Sequence, residues 1–239
     1  FLALPKLEPC ADLEYVQTRG IRSEDPKIAA IEDEVLEAVA RATSMQEAGD
    51  DEGALAIAET ALARAEGSEL ARAHALLAKG RALRRTQPLE ASQVLQAAYE
   101  SARASDVGEV AAMASIALAD SLQGDGLGGA EPWLTVARAE ATRLASPEQM
   151  VVVETGDGAL LAGRGEIDAA ERAFDRGFAI LENAGLIGTL EHARALRARS
   201  AVQASKDRVA HAAAALELAV GILGENHPAV AGYRRALAY

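Results

Sequence analysis

Apolar residues return every three or four positions in block after block of this chain, and almost no run alternates strictly, so the period is that of helices. Prolines divide the pattern. Pro26, Pro88, Pro132, Pro147 and Pro228 each stand where a helix should begin, in the first turn, where a missing N–H leaves no bond unmade. Asp25, Ser146 and Asn226 lie just ahead of three of them and are placed to cap free amides, and Ser146 with Gln149 has the spacing of a capping box. The segments predict helices near 27–48, 51–66, 69–86, 88–105, 107–123, 130–145, 147–163, 166–184, 186–204 and 207–223, with a short last one from Pro228.

Composition sharpens this to an all-α fold. Half of the 239 residues are hydrophobic but only 3% are aromatic, so Ala, Leu, Val and Ile carry the core. Ala is the strongest helix former and the smallest side chain that keeps a Cβ, which suits helices packed closely on one another. A net charge of −12 speaks against a nucleic-acid partner, because binding phosphate backbones relies on clustered Lys and Arg. No apolar run reaches the roughly 18–20 residues that span a bilayer, so no membrane segment is expected in this chain. The opening FLALPKLEPC has no basic leader and does not begin with Met, and it reads as the cut end of a longer protein. Cys10 is the only cysteine, which leaves either an inert thiol or a bridge to a segment outside the sequence.

The stretch QGDGLGGAEPW tests the chemistry. Gly124, Gly126 and Gly129 fit the G-x-G-x-x-G spacing of a dinucleotide loop, but such a loop leaves a β-strand, whereas this one leaves the Ala-rich helical run VAAMASIALADSL. It reads as a turn between helices, and no cofactor is expected. His74, His192, His211 and His227 have no metal-ligand spacing, the acidic GDDEG lacks the alternating ligands of a calcium loop, and no hydrolase, P-loop or kinase signature occurs. No catalytic, cofactor-binding or metal-binding residue is expected.

Self-similarity carries the positive reading. In GDGALLAGRGEIDAAERAFDRGF, Gly158 is followed by Gly165, Ala170, Phe174 and Gly177; similar sets are Gly49 with Ala54, Ala58 and Ala61, Gly80 with Ala91, Leu95 and Ala98, Gly124 with Ala130, Leu134 and Ala137, and Ser200 with Ala212, Leu216 and Ala219. The pattern resembles the tetratricopeptide repeat, with markers at 54, 91, 130, 170 and 212 spaced slightly wider than its plain period of about 34 residues. The resemblance implies a right-handed superhelical solenoid of about five helix hairpins plus a C-terminal half repeat over 26–239, preceded by a lead-in segment, 1–25. First helices of such hairpins line a concave face, and the repeat phase puts His74, Arg81, Arg84, Arg85, Ser121, Thr155, Arg194 and Arg197 there, as a groove for a protein or an acidic or C-terminal-carboxylate peptide.

The tail LGENHPAVAGYRRALAY is similar to the connection between repeats of the kinesin-light-chain kind; three readings stay open for its apolar side with Val230, Tyr233 and Leu237, namely an end cap, a continuation into further repeats, and pairing with another copy as a homodimer. LPKLEPCADLEYV resembles the segment before the helical repeats of bacterial membrane-spanning serine/threonine protein kinases. That resemblance implies the sensor or scaffold region of such a kinase, lying in the periplasm, with Cys10 as a candidate to pair with an upstream cysteine. The competing expectation is a free-standing cytoplasmic adaptor or co-chaperone.

Overall fold

A computed structural model of the chain describes residues 22–124, 129–202, 207–227 and 229–238. Cys10, the LPKLEPCADLEYV segment, Gly126 and Pro228 lie outside the described residues. What is described is all-helical: α1 Pro26–Glu47, α2 Asp51–Arg64, α3 Glu69–Leu83, α4 Pro88–Ala104, α5 Gly108–Gly124, α6 Ala130–Arg143, α7 Pro147–Gly163, α8 Ile167–Asn183, α9 Leu190–Ser200, α10 Arg208–Leu223 and α11 Val230–Ala238.

The starts follow from local chemistry. Proline opens α1, α4 and α7, and Pro132 sits in the first turn of α6. Asp25 accepts from the Lys27 N–H at 2.8 Å and Asp50 from the Gly53 N–H at 2.8 Å. Ser68 and Ser146 accept from Ala71 and Gln149 at 3.2 and 3.3 Å, so these four short acceptor side chains, and Thr189 as a fifth, set five helix entrances. The expected box at Ser146 is half made, because the Gln149 Oε1 is buried and has no partner. At the entrance to α11 the amide of Ala229 is taken by His227 Nδ1 at 3.2 Å rather than by Asn226.

Five helix exits share one turn, in which the amide three residues past the end returns to a carbonyl five residues back: Asp50 to Met45, Val107 to Ala102, Ser146 to Ala141, Glu166 to Leu161 and Leu186 to Leu181, all at 2.8–3.1 Å. The residue before each returning amide must turn left-handed. Gly49, Gly165 and Gly185 do so freely, whereas Asp106 and Ala145 do so with φ of 52° and 47°. Two expected ends come earlier, at Leu83 and not 86 for α3 and at Ser200 and not 204 for α9, and the largest shift of a start is in α9, which begins at Leu190, not 186, because Gly185 and Gly188 hold left-handed turns and Thr189 caps from outside the helix, accepting from the His192 N–H.

Packing follows chain order. Each helix lies against the next, and α1, α3, α5, α7, α9 and α11 also touch one another in succession; among the described residues no close backbone approach joins helices more than two places apart. Small residues make these approaches short. Ala71, Ala73, Ala75, Ala91, Ala98 and Ala111 are fully buried, and Gly158 leaves only enough room for the buried Phe174 ring, which a Cβ there would meet at 2.9 Å. The largest buried cluster joins α3, α4 and α5 through residues such as Leu77, Leu95 and Val110.

Candidate functional site

Polar side chains on the odd-numbered helices divide into those used up by packing and those that gather. Ser121 is buried, 3.2 Å from the Ser92 hydroxyl of α4, and Thr155 is buried with its hydroxyl donating to Val151 and Val152 of its own helix. Neither offers surface to a partner, so both leave the expected set: Ser121 faces α4, and Thr155 lies against α8 beside Gly177. Arg85, just past α3, is drawn back to Asp51 and to the Gly49 carbonyl, bracing the turn of the first hairpin. Its charge is matched there.

The others converge. Arg84, at the C-cap of α3, lies 3.5 Å from Asp120 near the end of α5, with 36% of each side chain exposed. Burial raises the Asp120 carboxyl above the ordinary carboxylate value, and the guanidinium groups of Arg84, Arg81 and Arg197 pull against that rise. Arg197 belongs to α9, four helices beyond α5, so charges from α3 and α9 act on one carboxylate although their helices have no close backbone approach. Asp120 is thus crowded by neighbouring atoms yet still partly open to water.

Arg197 also lies 5.2 Å over the ring of Tyr233 in α11, and Arg194 pairs with Glu191 at 3.6 Å on the same helix. Burial raises the Tyr233 hydroxyl above its usual value, opposed by Arg197 and Arg194. His74 also lies on α3; it is partly buried, and desolvation lowers its imidazole from the ordinary 6.5 to about 4, so it is neutral at physiological pH. His74 and Arg81 thus lie on α3, Arg84 at its C-cap, and Arg194 and Arg197 on α9, and the arginines have Asp120 and Tyr233 as neighbours that the sequence reading did not name.

Asp120 had a signal in the sequence. Between Glu109 and the end of α5 it is the only charged residue in an otherwise apolar and small-residue helix, a place where a carboxylate needs a partner. Its partner stands 36 residues earlier, beyond what local spacing reveals.

The other buried acids are braces. Glu154 of α7 is 7% exposed and accepts from Arg138 of α6 at 3.2 Å and Arg176 of α8 at 2.8 Å, and Asp157 accepts from the same two arginines. Glu140 of α6 is held by Arg143 and by Arg103 of α4. Among the described residues no group of three His, Cys, Asp or Glu could hold a metal ion, and no helix is long and apolar enough to cross a membrane. The chain matches no protein-family profile, no curated protein and no solved structure.

Proposed function

We propose that the chain is a non-catalytic protein- or peptide-binding module: a right-handed superhelical solenoid of five tetratricopeptide-like hairpins, α1–α2 through α9–α10, with α11 as a half repeat, whose odd-numbered helices line a groove for an acidic partner. The succession of odd-numbered helices, each touching the next, supports the solenoid, since stacked hairpins meet only their neighbours. One observation supports the groove: Arg84, at the C-cap of α3, pairs at 3.5 Å with the partly exposed carboxylate of Asp120 in α5, within the fields of Arg81 and of Arg197 on α9. Guanidinium groups gathered from separate helices are suited to carboxylates, which they engage with paired donors.

Within this reading the chain is the sensor or scaffold region of a bacterial membrane-spanning serine/threonine kinase, facing the periplasm, with Cys10 bridging to an upstream cysteine. The second reading, a cytoplasmic adaptor or co-chaperone, uses the same groove. The full reading frame separates them, since only the first has a kinase domain and a membrane helix upstream. The groove itself is tested with a fluorescent hexaglutamate peptide and the double variant Arg81→Glu, Arg197→Glu. Peptide binding should weaken by about tenfold or more, the scale of two reversed charges in a partly wet site, in a variant whose helical circular dichroism matches the parent's. Equal binding by the parent and the variant would remove the groove.

A further inference from the structure

The arginine cluster already holds an anion, and it is the protein's own. Asp120 is linked to Arg84 across α3 and α5 and lies within the fields of Arg81 and Arg197. Other charges on these helices and their neighbours are engaged elsewhere: Lys79 of α3 by Glu59 and by Glu90 of α4, Glu140 of α6 by Arg103 of α4 and Arg143, Glu154 and Asp157 of α7 by Arg138 of α6 and Arg176 of α8, and Glu191 by Arg194 on α9. On α4, the neighbour of Ser121 is the uncharged Ser92. A partner's carboxylate arriving at this cluster meets cations that Asp120 partly neutralises, and a like charge beside them.

Resting on the groove reading above, we propose that Asp120 is a resident counter-anion: it holds the arginine cluster while no partner is bound, and an incoming carboxylate binds by displacing it, with Asp120 taking up a proton from water as its cations are withdrawn. Two anions competing for one set of cations cannot both stay fully ionised at close range, so one is neutralised. Burial of Asp120 makes it the group that yields, because desolvation already opposes its charge. Capture of an acidic peptide is then coupled to proton uptake and strengthens as pH falls.

The experiment measures hexaglutamate binding by fluorescence anisotropy between about pH 7.5 and about pH 5.5, a range in which the peptide stays largely ionised. It compares the parent protein with Asp120→Asn, which keeps shape and removes charge, and with Arg81→Glu, Arg197→Glu. Asp120→Asn should bind about tenfold more tightly than the parent at the upper pH, the effect of deleting a like charge a few ångströms away in a partly wet site. Its affinity should be flat with pH where the parent's rises on acidification. In the parent, the titration of the Asp120 side-chain carbon followed by NMR should move to higher pH when peptide is added.

If Asp120→Asn binds no more tightly than the parent and the Asp120 titration does not move, while the double arginine variant binds worse, the counter-anion is overturned and the groove stands. If all three proteins bind alike, or none binds, the groove falls and the counter-anion with it. Should Asp120→Asn lose its helical circular dichroism, the Asp120 titration of the parent decides alone, and a midpoint indifferent to peptide rejects the proposal.

Discussion

Ala145 occupies a left-handed turn position that glycine fills at 49, 165 and 185 in the same hydrogen-bonded arrangement. For a residue with a Cβ that conformation costs about 1–2 kcal/mol, part of which glycine returns through its freer unfolded chain. Ala145→Gly should therefore stabilise the protein by about 0.5–1 kcal/mol, and Gly165→Ala should destabilise it by a similar amount, since a Cβ at 165 meets nothing within 4 Å and only conformation changes. Urea midpoints compare them, and equal stabilities in both cases would contradict the assignment. His74 gives a second test. Its folded value of about 4 lies below its ordinary 6.5, so between those limits the unfolded chain binds a proton that the folded one does not. Stability is undiminished above about pH 6.5 and falls as pH drops toward 4, by less than about 1.4 kcal/mol per pH unit because the ring is only partly buried. His74→Gln should flatten the urea-midpoint curve in that window and leave it unchanged above. Such residues show where reading the sequence stops: the glycines of the turns are visible in it, whereas a left-handed alanine or a histidine short of water looks like any other.

Helices are legible where their signals are adjacent in the chain. Asp25-Pro26 and Ser146-Pro147 place two entrances because cap and proline act on amides two or three residues away, and the expected starts of α2, α3, α4, α6 and α7 are the observed ones. The start of α9 was obscured because Leu186 and Ile187 continue the apolar pattern through a glycine-bounded turn. Bonds between helices are illegible for a different reason: Glu154 meets residues 16 earlier and 22 later, and nothing local marks such partners. That carboxylate joins α6, α7 and α8. Arg138→Met with Arg176→Met should destabilise by about 3 kcal/mol, because it strands a buried acid, while adding Glu154→Met to the pair should recover most of the loss. Denaturant unfolding of the double and triple variants checks the order; a triple variant less stable than the double would refute it.

Across the whole molecule, burial is uneven. The largest cluster spans α3 to α5, whereas α10 exposes Val209 and Ile222 and α11 exposes Leu237. Since, among the described residues, close backbone approaches reach no farther than two helices along, each region depends on its own neighbours, and amide hydrogen exchange should be slowest in α3–α5 and fastest in α10–α11. Uniform protection from end to end, read by mass spectrometry, would show instead a single cooperative unit. The all-helical character was visible in periodicity and alanine content, since both act within a few residues; the convergence of Arg84 and Arg197 on Asp120 depends on how successive helices are angled, which the sequence does not display. The ordered neighbour contacts have a mechanical consequence. Because no clasp among the described residues ties the first helix to the last, tension applied across them meets a series of small latches, each able to slip and reseat by itself, so this part of the molecule should stretch in steps at modest force and recover when released.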